Sequence, residues 1–298
     1  MNLLLLHPRS APPVMWAFLG ESLSPLLSFA RASSKNVFST SGDLANVATN
    51  LPAFDHVPVT GSVRGLLIEP QRTNYLRYNS NPYTNWSLDS CTKAAYGSGL
   101  LGFPDPAVIG SSGAVWHKLR ISTASVTSGT TYGWKVLVKA GTSGKVLVTL
   151  RNPSAQYTSL AGNLGATLSL TEMSAGTATC TQTVTLGNNI FEITGTWIPN
   201  QSGVCQVGVG PNSTVSGETV VLIAGQLEDG TTSTSYIQTT TDSVTRAADI
   251  LSFTVPSAVT RLRYVFDDDS TQDVDVVAGS YTVPANLNRA WIKRLYSI

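Results

Sequence analysis

Alternation with a period of two is the strongest structural signal in this sequence. Between positions 132 and 140, large apolar side chains occupy every second position, namely Tyr132, Trp134, Val136 and Val138. Successive side chains of an extended strand point to opposite faces, so this pattern predicts a half-buried antiparallel strand. The segment 145–150 repeats the pattern after a glycine-bounded turn at 141–144, and we predict that the two segments form a hairpin.

The rest of the chain also favours strands over helices. Further strands are predicted at 115–121, 190–197, 204–209 and 219–227, whereas no amphipathic helix of normal length is visible. Charged residues make up only 12% of the chain, and 25 Gly and 15 Pro supply turns between strands. We therefore predict an all-β fold, an antiparallel jelly-roll β-sandwich with an extended N-terminal arm and a small C-terminal β subdomain.

Two distant segments, 29–78 and 224–251, resemble the two edges of one module, and we call them the bracketing segments. The first contains FARASS and VRGLLIEPQRTNYL, and the second reads AGQLEDGTTSTSYIQTTTDSVTRAADIL. Together they resemble the carbohydrate-binding-module-like jelly-roll domain of bacteriophage virion appendage proteins, such as tail fibres, head spikes and head fibres. About 150 residues lie between them, a usual size for one sandwich domain.

This resemblance implies a non-enzymatic structural protein of a bacteriophage virion, a fibre-type or spike-type appendage that contacts glycan on the host cell surface. It also implies a homotrimer located in the virion and assembled in the cytoplasm of the bacterial host. The alternative is a virion connector or decoration protein whose sandwich binds other virion proteins rather than sugar, because jelly rolls serve both uses.

The sequence divides into three predicted parts. Residues 1–28 are apolar, contain four prolines and form an arm, which either packs on its own domain or docks onto capsid or tail proteins and neighbouring subunits. Residues 29–249 form the jelly-roll carbohydrate-binding-like module. Residues 250–298 form the small C-terminal β subdomain, in which 261–266 and 271–277 are predicted to pair as a hairpin.

Charge and hydropathy argue against two classes of partner. The formal net charge is +1, and no run of Lys or Arg exceeds a pair, so we expect no binding to nucleic acid. No stretch reaches the ~18 uninterrupted apolar residues of a membrane span, so we expect no membrane insertion.

The sequence also lacks recognisable catalytic or metal-binding motifs. It has three histidines and neither G-x-S-x-G nor H-E-x-x-H, and its three cysteines show no C-x-x-C spacing. The acidic run 267–269 lacks the glycine and the closing glutamate of a calcium loop, which favours a simple hairpin turn. We therefore predict no catalytic residue, no metal site and no cofactor.

Glu69 and Glu228 lie within the bracketing segments. A glycosidase would need two carboxylates that converge in space, which counting residues does not exclude. The simpler prediction is a salt bridge with Arg64, Arg72 or Arg246 that ties the ends of the module together and adds modestly to stability.

Binding of a glycan needs exposed aromatic faces with polar partners beside them. Trp134 and Trp197 share strand faces with aliphatic residues, so we assign both to the core. Other aromatic and amide residues occur at predicted loop edges or strand ends. The candidates for glycan contact are Trp86, Tyr96, Trp116 and Tyr157, with Asn85, Asn152 and Gln156 as hydrogen-bonding neighbours.

Overall fold

The computed structural model describes residues 14–20, 22–97 and 99–298. Residues 1–13 and residue 21 of the predicted arm therefore lie outside the described residues. Within the described ranges, no helix has the length and hydropathy needed to cross a membrane.

Nearly all regular structure is extended, as the alternation predicts. The first half of the chain contains β1 (Val14–Ala17), β2 (Ser28–Ala30), β3 (Lys35–Phe38), β4 (Leu44–Val47), β5 (Phe54–His56), β6 (Val63–Leu67), β7 (Arg72–Asn74), α1 (Pro82–Asn85), β8 (Ser87–Asp89), β9 (Thr92–Ala95), β10 (Ala107–Gly110), β11 (Lys118–Val126), β12 (Tyr132–Ala140) and β13 (Lys145–Arg151). The second half contains β14 (Tyr157–Asn163), β15 (Ser169–Met173), β16 (Gly176–Gly187), β17 (Ile190–Pro199), β18 (Gly203–Gly210), β19 (Thr219–Asp229), β20 (Val244–Arg246), β21 (Ile250–Val255), β22 (Arg261–Phe266), β23 (Thr271–Asp275), β24 (Gly279–Thr282) and β25 (Trp291–Ser297).

Two antiparallel sheets form the main sandwich. Sheet I has the strand order β16-β17-β12-β19-β10-β9, and sheet II has the order β15-β14-β13-β18-β11-β8. The apolar positions of both sheets meet in one core, which contains Trp134 and Trp197 as predicted. The all-β antiparallel sandwich is therefore confirmed.

The predicted hairpin across 141–144 is wrong. β12 pairs with β17 and β19 in sheet I, whereas β13 pairs with β14 and β18 in sheet II. The turn thus carries the chain from one sheet to the other. Alternation reports which face of a strand is apolar but does not report which strand lies beside it.

The prediction of a half-buried β12 is also wrong, because sheet I is covered on both faces. Leu137 packs with Phe38, Phe103 and Tyr236 on the face that points away from sheet II. Lys135 lies on this same face, is only 5% exposed and donates a hydrogen bond to the Thr234 carbonyl. The covering segments lie far from β12 in the sequence, so its own pattern could not reveal them.

A second β unit lies beside the sandwich, and its strands come from both ends of the chain. Sheet III has the order β23-β22-β25-β6-β5 with β1 beside β25, and sheet IV has the order β2-β21-β24. Their common core includes Phe18, Leu66, Phe253 and Ile292. The predicted division treated residues 250–298 as a separate subdomain. In the structure, strands before residue 68 complete the sheets of this unit.

The hairpin predicted in the C-terminal region is confirmed, since β22 pairs with β23. Two exposed cross-strand ion pairs run along it, Arg261 with Asp275 at 2.7 Å and Arg263 with Asp273 at 2.7 Å. We call these four residues the exposed ladder. Asp273 and Asp275 are therefore each paired with an arginine on the neighbouring strand.

A buried network of charged side chains joins the two bracketing segments. Lys35 Nζ lies 2.9 Å from Glu69 Oε2 and 2.6 Å from Asp249 Oδ2. Arg31 Nη1 lies 3.1 Å from Asp249 Oδ1, and Arg246 pairs with Glu69. The predicted Glu69–Arg246 salt bridge is confirmed, but its setting is fully buried. We call these five residues the buried network.

The other residues of that prediction have different partners. Arg64 pairs with Asp267 at 2.9 Å, and Arg72 donates to the Gln71 carbonyl. Glu228 accepts hydrogen bonds from the backbone N–H and the hydroxyl of Thr234. Burial raises the pKa of Glu228 above its ordinary value, although Lys135 opposes this change.

Candidate functional site

A groove of about 450 Å³ runs across the face of sheet II that points away from the sandwich core. We call it the outer groove. Its lining residues are Asp89, Val115, Trp116, Lys118, Leu147, Thr149, Tyr157, Ser159, Ala161, Thr171, Glu172 and Asn212. The volume falls within the roughly 300–1,000 Å³ of ordinary small-molecule sites.

Glycines in β18 leave room at the centre of this face. Val207 and Val209 point into the core, so period two sends Gly208 and Gly210 to the outer side. A Cβ atom at Gly208 would lie 2.5 Å from Thr149 Oγ1 and 2.8 Å from Lys118 Cδ. The absent side chain at 208 therefore lets Thr149 and Lys118 lie over β18.

Two aromatic side chains lie close to Lys118 in the outer groove. Trp116 is 51% exposed and precedes β11, and Tyr157 is half-buried at the start of β14. Lys118 Nζ lies 5.8 Å from the centroid of the Trp116 ring and 4.7 Å from that of Tyr157. Both distances are within cation–π range, so the ammonium group contacts both aromatic rings.

The cationic side chains at the outer groove have partners within the protein. Lys118 Nζ lies 3.2 Å from Asp89 Oδ2 and donates to the Trp116 carbonyl at 3.1 Å. Nearby, Arg120 and Arg151 both donate to Gln206 Oε1, at 2.8 and 3.1 Å. The positive charge of Lys118 is thus balanced by Asp89 before any ligand binds, which favours a neutral ligand over an anionic one.

Hydroxyl groups complete the polar surface of the outer groove. Thr149 and Ser159 lie on its floor, and Thr171 and Glu172 lie on the edge strand β15. Ser159 Oγ donates to Glu172 Oε2 at 3.4 Å, and Thr171 Oγ1 donates to the Ser159 carbonyl at 3.1 Å. The groove therefore combines aromatic faces with short polar side chains that can donate and accept hydrogen bonds.

Of the predicted aromatic candidates, the structure brings Trp116 and Tyr157 into this one groove. Asn152 and Gln156 close the turn that precedes Tyr157. Asn152 Nδ2 donates to Gln156 Oε1 at 2.7 Å and to Asn200 Oδ1 at 3.0 Å, and the Gln156 N–H donates to Asn152 Oδ1. Their side chains hold the turn, so these two residues position Tyr157.

The remaining candidates lie elsewhere. Trp86 is only 1% exposed in the sandwich core, and its indole N–H donates to the Tyr78 carbonyl at 3.0 Å. Its predicted role as an exposed sugar platform is therefore wrong. Asn85 ends α1, and Tyr96 follows β9 with its N–H bonded to the Pro106 carbonyl. Neither Asn85 nor Tyr96 lines the outer groove.

Sequence reasoning missed most polar residues of the groove. Thr149 occupies an outward position of a strand whose apolar face was recognised, whereas Ser159 lies in β14, a strand that the alternation did not predict. Lys118 lies two positions after the candidate Trp116. The detectable signal was the run Val-Gly-Val-Gly at 207–210, which marks a strand that has no side chains of its own on the outer face at these positions. Using it required the strand order β14-β13-β18-β11, which alternation does not supply.

No protein-family model matches the sequence, and no curated protein matches it significantly. Solved structures show a partial similarity of fold. A xylan-binding module of family 22 from Paenibacillus barcinonensis is 9% identical over 54% of this chain and 94% of that chain, with a TM-score of 0.34. A mannan-recognising carbohydrate-binding module is 11% identical over 55% of this chain and 98% of that chain, with a TM-score of 0.33.

A tailspike protein of bacteriophage CBA120, represented by its enzymatically active domain, is also similar in part. It is 14% identical over 50% of this chain but only 21% of that chain, with a TM-score of 0.28. No functional conclusion follows from similarities at this level.

Proposed function

We propose that this chain is a non-catalytic, glycan-binding appendage of a bacteriophage virion and that the outer groove contacts glycan on the host surface. The observation that carries the binding part is the pair of aromatic rings, Trp116 and Tyr157, beside the hydroxyl-lined floor. Sugar rings offer C–H faces that pack on aromatic planes and hydroxyls that need short polar partners. Because Lys118 is already paired with Asp89, the groove favours a neutral oligosaccharide over an anionic one.

The virion part of this proposal is supported by the sequence resemblance of the bracketing segments. According to this proposal, the apolar arm 1–28 docks onto capsid or tail proteins, and three copies assemble in the bacterial cytoplasm into a fibre or spike. Three-fold assembly would cover apolar surface that is costly to expose.

The second candidate function is a connector whose outer groove binds another virion protein. An exposed apolar side chain beside Trp116 favours it, since Val115 lines the groove and is 46% exposed. A protein partner would bury Val115 together with Trp116, whereas an oligosaccharide confined to the groove needs only the aromatic rings.

Binding of the full chain to an array of neutral bacterial-surface oligosaccharides tests the proposal. We expect saturable binding by the unmodified protein and at least about a tenfold loss of affinity for Trp116→Ala, which corresponds to about 1.4 kcal/mol. Because Trp116 is half exposed, its removal should leave the urea midpoint of unfolding unchanged.

Tyr83→Ala is the matched control, because Tyr83 is an exposed aromatic residue on α1 and does not line the outer groove. Equal binding by both variants would contradict the assignment of the outer groove as the glycan-binding site. If no glycan binds while Trp116→Ala abolishes incorporation of the protein into particles, the connector function is supported.

A further inference from the structure

A second cavity of about 450 Å³ lies between the sandwich and the second β unit. We call it the seam pocket. Lys135 and Glu192 of sheet I line one side, and Arg64, Asp267 and Trp291 of the second unit line the other. The segment 233–236 lines it as well.

Two hydroxyls of the seam pocket lack a partner. Among the described residues, nothing forms a hydrogen bond with Tyr236 Oη or with Ser233 Oγ, although both atoms are buried. Tyr236 is only 2% exposed. A buried hydroxyl without a hydrogen-bond partner destabilises the folded protein, so each group calls for a ligand or a water molecule that pairs with it.

The ring of Tyr236 contacts an aromatic residue and a cation. The ring packs edge-on against Phe103 at 5.0 Å and lies below Lys135 Nζ at 4.2 Å from its centroid. Burial raises the pKa of Tyr236 well above its ordinary value, and the charges of Glu192 and Glu228 raise it further. The hydroxyl therefore stays protonated and can both donate and accept a hydrogen bond.

The charged groups of the seam pocket are already satisfied by one another. Lys135 donates to the Thr234 carbonyl at 2.5 Å and lies 3.7 Å from Glu192. Arg64 pairs with Asp267 at 2.9 Å and stacks on the Trp291 ring at 3.4 Å. A charged ligand would have to break these pairs, whereas a neutral ligand would not.

We propose that the seam pocket binds a small neutral polyhydroxylated molecule, a monosaccharide or a disaccharide, whose hydroxyls pair with Ser233 and Tyr236. Apolar side chains such as Phe38 and Val184 supply surface for its C–H groups. The ligand would contact both β units and so stabilise their packing in proportion to its occupancy. This site is separate from the outer groove and does not depend on glycan binding there.

Thermal unfolding of the full chain with D-glucose, D-galactose, D-mannose or N-acetyl-D-glucosamine at millimolar concentrations tests the proposal. We expect a saturable rise in Tm with at least one of these sugars. Tyr236→Phe keeps the ring but removes the unpaired hydroxyl, so it should weaken binding about fivefold to tenfold. Without sugar, its Tm should equal or exceed that of the unmodified protein.

Ser233→Ala should weaken the same response, and Trp116→Ala in the outer groove should leave it unchanged. A rise in Tm that is equal in the unmodified protein and Tyr236→Phe would overturn the proposal. Absence of any saturable rise with the four sugars would also overturn it and would assign the two hydroxyls to water alone. If instead the outer groove is not the glycan site, the only sign would be binding to the oligosaccharide array that Trp116→Ala does not weaken.

Discussion

The buried network and the exposed ladder use the same pairs of charged groups in opposite settings. In the buried network, Lys35, Glu69 and Asp249 are almost inaccessible to solvent. In the exposed ladder, the side chain of Arg261 is 51% exposed and that of Asp275 is 79% exposed. The geometry of the close pairs is similar, so the difference between the two regions is one of solvation.

This difference decides how much each region contributes to stability. Water screens the exposed ladder and competes for its charges, so such pairs contribute little. In the buried network, each charge has lost its hydration and depends on its partners, so removing one partner leaves the others uncompensated. The network also links residues from both bracketing segments, so it must form for the two edges of the module to come together.

The largest expected effect is that of Glu69→Gln. This change leaves Arg246 and Lys35 buried with Asp249 as the remaining anion of the network, and we expect the free energy of unfolding to fall by about 3–5 kcal/mol. Urea unfolding at neutral pH measures it. Glu172→Gln, the same replacement at an exposed position of β15, is the control. A loss no larger than that of the control would show that the network is solvated in the folded protein.

Acidification should reveal the same contribution. Burial alone would raise the pKa of Glu69, but Arg246 and Lys35 hold it far below its ordinary value of 4.5. A lowered pKa in the folded state gives stability that is complete above the unfolded pKa and is lost as the pH falls toward the folded value. The urea midpoint of the unmodified protein should therefore fall below about pH 4.5.

Glu69→Gln should show a smaller fall over the same range. Carboxylates such as Asp267, whose pKa is also lowered by Arg289 and Arg64 against the effect of burial, contribute equally to both proteins and cancel in the comparison. Parallel acid curves for the two proteins would refute the assigned role of Glu69.

The smallest expected effect is that of Asp273→Asn in the exposed ladder. Its partner Arg263 lies at the surface, and loss of the pair should leave the urea midpoint unchanged within error. Repeating the measurement at low and high salt sharpens the comparison, because any difference should vanish as salt increases. A shift that persists in high salt would contradict the distinction between the two regions.

The fold class followed from sequence because alternation reports burial on one face of a strand. Trp134 and Trp197 entered the core as predicted for this reason. Burial on the second face of sheet I did not follow, because Phe38 and Tyr236 reach Leu137 from distant segments. Trp86 was misplaced for a similar reason, since its position beside polar residues concealed its contact with Gly225 at the centre of sheet I.

The candidate site was predicted only in part. Trp116 and Tyr157 were identified as aromatic residues beside polar neighbours, and they line one groove. Thr149 and Ser159 were not identified, because hydroxyl residues are common in outward positions of strands. Their proximity depends on the register between β13 and β14, in which Thr149 faces Ser159.

The second β unit has a consequence for synthesis of the protein on the ribosome. Asp55, which ends up bonded to Trp291, is separated from it by 236 positions. At about 5–20 residues per second, β5 and β6 wait roughly 10–50 s for the strand that completes their sheet. During translation this hairpin therefore presents an unpaired strand edge, and nascent copies held close together on one messenger are exposed to pairing with each other.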